Sequence, residues 1–104
     1  MNEAQNLTPD QQRLLVRWAT RYIWWKSPAE AVQHPERIIA QVMDIGDYDD
    51  VQQMMRAFGE DAPRYVVQRA EAGLLSPRSW AYWHYRLGLA APGRVPPLPQ
   101  RRVS

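Results

Sequence analysis

The chain has 104 residues, of which 45% are apolar, with a formal charge of +2 and no cysteine. That length holds one domain with a thin core, and the lack of cysteine excludes disulfides and thiolate metal sites. Met1 to Leu7 is polar with no apolar signal region, and no apolar run approaches a membrane span, so a cytoplasmic location is expected.

Prolines beside cap residues open the predicted helices and glycines close them. Residues 1–8 read as a flexible N-terminus. Thr8-Pro9-Asp10-Gln11 has the form of a capping box and starts a helix over 9–25, with Leu14, Leu15, Trp18, Tyr22 and Trp25 on one face. Ser27-Pro28-Ala29-Glu30 starts a second over 28–33. His34-Pro35 opens a third over 35–45. Its Ile38, Ile39, Val42, Met43 and Ile45 make a broad apolar face, which marks it as the central helix. A fourth covers 48–58 with a stripe of Tyr48, Val51, Met54, Met55 and Phe58. Asp61-Ala62-Pro63 leads a fifth over 62–72 and Ser76-Pro77 a sixth over 77–87. Gly46, Gly59, Gly73 and Gly88 sit where helix-ending glycines belong. No segment alternates with period two.

The expected fold is therefore all-α: a single compact domain of about six short helices over 9–88, then an extended Pro/Arg-rich tail over 89–104. Pro92, Pro96, Pro97 and Pro99 favour a polyproline-like path that adds little to the core. Val95 and Leu98, one polyproline turn apart, offer two apolar anchors for docking.

Chemistry is hard to find. The acidic run Asp44-Ile45-Gly46-Asp47-Tyr48-Asp49-Asp50 lacks the order of a calcium loop. Asp47 reads instead as a helix cap, with Asp49 and Asp50 in the first turn, where the helix dipole favours them. His34 and His84 have no neighbours at metal-ligand spacing, and His84 shares a helix face with Trp80, Trp83 and Leu87. There is no phosphate loop and no nucleophile motif. The chain is read as a non-enzyme with no cofactor and no metal.

Binding surfaces are easier to see. Charge is polarised: Met1 to Glu71 holds 8 basic and 11 acidic residues, whereas Ala72 to Ser104 holds five arginines and no acid. Such a layout suits docking to another macromolecule. In helix six, Arg78, Tyr82 and Tyr85 point away from Trp80, Trp83 and Leu87, and they have interface composition. Together with Arg94, Leu98, Arg101 and Arg102 of the tail they form the candidate partner-binding set. Arg13, Arg17 and Arg21, at i, i+4 and i+8 with Trp24 beyond, form a candidate nucleic-acid stripe, cations to track phosphates and an aromatic to stack.

Several segments carry a resemblance. Trp24-Trp25, Ser27 to Ala31, Pro35 to Met43, Gly46 to Asp50, Gly73 to His84, Leu87 to Leu89 and Pro97 to Pro99 resemble a family of small uncharacterised bacterial proteins. Members are encoded beside nucleotidyltransferase-fold toxins of the abortive-infection type. The resemblance covers about residues 24–99, and Arg78-Ser79-Trp80-Ala81-Tyr82-Trp83-His84 is its most distinctive part. It implies an antitoxin or accessory partner of such a toxin and assigns no catalytic residues. The expected function is a protein-binding module of that kind. The alternative is a small DNA-binding autoregulator of the helix-turn-helix type, with helices four to six short enough for that geometry.

Overall fold

A computed structural model describes residues 7–100. The six helices are α1 (Pro9–Tyr22), α2 (Pro28–Ala31), α3 (Pro35–Ile45), α4 (Tyr48–Phe58), α5 (Asp61–Gln68) and α6 (Pro77–Arg86), and no strand occurs among the described residues. The all-α single domain is as expected. Residues 1–6 and 101–104, and with them Arg101 and Arg102, lie outside the described residues.

Local chemistry starts the helices as the sequence indicates. Thr8 accepts from the Gln11 N–H while the Gln11 side chain accepts from the Thr8 N–H, a complete capping box. Thr8 is thus part of the fold, and Leu7 packs against the core, so the domain begins two residues earlier than predicted. Ser27, Asp47 and Ser76 cap α2, α4 and α6 by the simpler one-way bond, each side chain accepting from the N–H three residues on. Gly59, Gly73 and Gly88 adopt positive φ. Gly46 does not: its φ is −67°, and it is needed for a different reason. A Cβ there would stand 2.4 Å from the Val42 carbonyl oxygen, so only glycine allows the chain to turn that tightly out of α3.

Two helices are shorter than the pattern implied. The first ends at Tyr22, not at residue 25, because the chain must turn at Ile23 to bury that side chain. The fifth ends at Gln68, not at residue 72, and the released segment swings Leu75 into the core.

Helix α3 is the centre, touching all five other helices. Ile38, Ile39, Val42 and Met43 are buried, with Leu15 and Trp18 of α1, Met54 of α4, Val66 and Val67 of α5, and Trp80 and Trp83 of α6 around them. Three predicted core residues are outside. Ile45 is the last residue of α3, Tyr48 the first of α4, and Trp25 follows the end of α1; all three are exposed. Ile45 and Tyr48 sit at helix ends, where little of a neighbouring helix lies opposite them, and Trp25 has left the helical path altogether.

The tail departs most from expectation. Leu89, Val95 and Leu98 pack against the core, and the Trp80 indole N–H donates to the Pro96 carbonyl at 2.7 Å. The Gly93 N–H donates to the Tyr85 hydroxyl at 3.1 Å. The segment has no regular secondary structure, as its prolines dictate, yet as far as residue 98 it lies on its own domain.

Candidate functional site

Two of the three arginines of the predicted nucleic-acid stripe are ion-paired. Arg13 pairs with Asp10 at 2.8 Å, one turn away on α1. Arg21 reaches across to α4, 2.8 Å from Asp47 and 3.3 Å from Asp50. Trp24 lies beyond the helix, with its ring edge-on to Trp25 at 5.6 Å. Arg17, exposed and without an ion pair among the described residues, lines a shallow groove with Arg13 and with Arg56 of α4, a residue sequence reasoning did not single out.

Arg21 instead belongs to a polar node joining α1 to α4. Asp50 is only 1% exposed, and the Tyr22 hydroxyl donates to its carboxylate at 2.5 Å, the short distance of a charge-assisted bond. The same hydroxyl accepts from the Asp47 N–H at 3.3 Å. Burial, reinforced by the hydrogen bond to Asp50, raises the Tyr22 phenol above its ordinary value and keeps it a neutral donor. Tyr22→Phe removes one oxygen and leaves a buried carboxylate short of its closest donor. A loss of about 1.5–3 kcal/mol is expected from chemical denaturation, the range for hydrogen bonds to charged groups. Unchanged stability would show that the node does not hold the two helices.

The rest of the acidic run is also in internal use. Asp44 accepts from the Ser76 N–H at 3.0 Å and its backbone carbonyl accepts from the Ser79 hydroxyl at 3.3 Å, tying the end of α3 to the start of α6. Partial burial raises its carboxyl, but the hydrogen bonds from Ser76 and Ser79 outweigh that, so the net shift is downward. A depressed carboxyl stabilises the fold above the ordinary aspartate range and loses that contribution as pH falls below it. Asp44→Asn should therefore flatten the acid limb of a stability–pH curve. An unaltered acid limb would place that dependence elsewhere.

Helix α6 presents the two faces that its pattern implies. Trp80, Trp83, His84 and Leu87 are buried, with the Trp83 indole N–H donating to the Met43 carbonyl at 3.0 Å. The His84 Nδ1–H donates to the Trp80 carbonyl at 2.7 Å, so this histidine is structural. On the other side, Tyr82 and Tyr85 are 51% and 46% exposed beside an exposed Arg78. Arg86, overlooked in the sequence, completes that face by donating to the Tyr82 hydroxyl at 3.0 Å while lying over the Trp83 ring. Its i+4 spacing from Tyr82 was the available signal.

The tail joins this face only in part. Gly93 orders the Tyr85 hydroxyl, and Arg94 is exposed nearby in sequence. Leu98, predicted as a partner anchor, is instead half-buried against its own core, which removes it from the partner-binding set.

Among the described residues no group of three or more His, Asp or Glu side chains is placed to hold a metal ion, and no helix is long and apolar enough to cross a membrane. Comparison of the chain with family models, curated proteins and solved structures gives no match. Its surfaces therefore have to be read from their own chemistry.

Proposed function

We propose that the chain is a non-catalytic protein-binding module of the cytoplasm, an antitoxin or accessory partner of a nucleotidyltransferase-type toxin. The observation that supports docking is the outer face of α6. Arg78, Tyr82, Tyr85 and Arg86 combine the residue types that dominate interface energetics, and two of the side chains are already held in place, Tyr82 by Arg86 and Tyr85 by Gly93. Side chains ordered before docking lose less entropy when the partner arrives. The partner class comes from the resemblance to proteins encoded beside such toxins. Its chemistry is compatible: a nucleotidyltransferase needs an acidic, metal-binding cleft, and this chain carries five arginines and no acid from Ala72 onward.

The test is co-purification with the nucleotidyltransferase-type protein encoded alongside. A complex stable at micromolar concentration is expected. Tyr82→Ala should weaken it by roughly 2 kcal/mol or more, the scale of an interface hot spot, while leaving the melting temperature unchanged. Trp80→Ala should do the opposite and lower the melting temperature. Two folded proteins that stay apart at micromolar concentration would sink the proposal.

One observation favours the rival DNA-binding reading. Arg13, Arg17 and Arg56 converge on the groove between α1 and α4, although Asp10 shares it. Three phosphate contacts predict a slope of log K against log salt of about −3. A flat slope, or no binding to promoter DNA, dismisses this reading.

A further inference from the structure

We propose that the cleft between the α1–α2 corner, α3 and the α5–α6 loop docks an acidic protein segment that inserts one apolar side chain. This rests on the reading of the chain as a protein-binding module, but it uses a surface separate from the outer face of α6.

The cleft is built from residues that local sequence does not bring together. Ile23, Ala31 and Leu74 provide apolar surface, and the half-exposed Trp25 makes one wall. Lys26, His34 and Arg37 also line it, and no carboxylate does. One of these cations has an acid beside it, Glu36 at 3.7 Å from His34. Lys26 and Arg37 are both exposed and have no ion-pair partner among the described residues. The Gln41 amide N–H is committed to the Tyr22 carbonyl at 3.1 Å, which leaves its oxygen free to accept from a backbone N–H. An apolar pocket with cations around it and one amide acceptor is complementary to an apolar side chain flanked by carboxylates.

Size and surroundings choose between a peptide and a small molecule. The cavity holds about 200 Å³, room for one side chain or one ring, and below the roughly 300–1,000 Å³ that encloses drug-sized ligands. A whole nucleotide would leave much of itself outside. The exposed apolar surface also continues past the mouth, because Trp24, 78% exposed, stands edge-on to Trp25. In addition Ile45, exposed, follows Gln41 by one turn on α3. An apolar patch rimmed by cations and extending beyond its pocket is the form of a macromolecular contact.

The full chain, labelled with nitrogen-15, is titrated with a short peptide carrying one Phe between pairs of Asp and Glu. Controls are the same peptide with Ser in place of Phe, one with Lys in place of the acids, and adenosine monophosphate. The acidic Phe peptide should shift the Trp25 indole N–H and the His34 ring saturably, more weakly as salt is raised. Trp25→Ala and Arg37→Glu, both at exposed positions, should each reduce the affinity at least tenfold without altering the melting temperature. No saturable shift at millimolar peptide overturns the proposal. So do equal binding of the Ser peptide, indifference to both substitutions, or tighter binding of the nucleotide. If the toxin partner is still captured through Tyr82 while the peptide is ignored, the cleft proposal fails alone. If the peptide binds but no toxin is captured, only the partner assignment fails.

Discussion

Ile38→Ala is expected to destabilise the protein by about 2–5 kcal/mol, the cost of emptying a closed aliphatic site. Ile38 is fully buried on α3, and α3 is the helix that every other helix touches. A void there lies inside the single core around the central helix, where no one neighbouring helix is placed to collapse into it. At about 4–8 °C per kcal/mol for a domain near this size, the melting temperature should drop well beyond experimental error. Val42→Ala, also fully buried but smaller, should cost less. Thermal and denaturant unfolding of both variants checks this. A change below about 1 kcal/mol at Ile38 would be a surface-like response and would contradict the central position of α3.

Truncation after Gly88 should also lower the melting temperature, contrary to what a dangling polyproline tail implies. Removing the segment exposes the aromatic face it covers. The Trp80 indole N–H loses its Pro96 acceptor, a change of about 1 kcal/mol for a typical hydrogen bond. Leu89, Val95 and Leu98 leave the core, each partly buried and each contributing some fraction of the ~1.5–3 kcal/mol of a fully buried side chain. Freed conformational entropy in the missing residues offsets part of this. A net loss on the order of 2 kcal/mol is expected, roughly 8–16 °C. Leu98→Asp in the full chain should reproduce much of the effect, since it puts a charge against apolar neighbours. If the truncated and intact proteins melt together, the tail does not hold the domain and becomes available to a partner instead.

Both results depend on the contrast between local and long-range information. The caps at Thr8, Ser27, Asp47 and Ser76, the helix starts at prolines 9, 28, 35 and 77, and the buried stripe of α3 follow from residues within one or two turns of each other. A hydroxyl or carboxylate three residues before an N–H can satisfy it whatever the rest of the chain does, and a 3.6-residue period can bury only one side. The separation of Trp80 and Trp83 from Tyr82 and Tyr85 around α6 was legible for the same reason. So was the structural role of His84.

Apart from the helix ends and Gly46, the misreadings concern what lies across from a residue. Periodicity placed Ile45, Tyr48 and Trp25 on apolar faces, but it carries no information on how far a neighbouring helix extends. Arg21 sits in a regular Arg stripe and gives no hint that Asp47 and Asp50, more than twenty residues away, stand opposite it. Asp50 reads as a first-turn acid, which it is, while its burial beneath Tyr22 depends on how α1 crosses α4. The cleft beside Trp25 draws on the α1–α2 corner, α3 and the α5–α6 loop, and exists only once they pack.

Sequence by itself thus determined the all-α class, the caps, the central helix and the two faces of α6, because short-range hydrogen bonding and helical period decide those. Tertiary structure alone decided the fate of the charges, the exposure of helix ends and the docking of the tail. Ion pairs and apolar burial act on whatever comes within a few ångströms, and which segments come that close is settled by packing the whole chain.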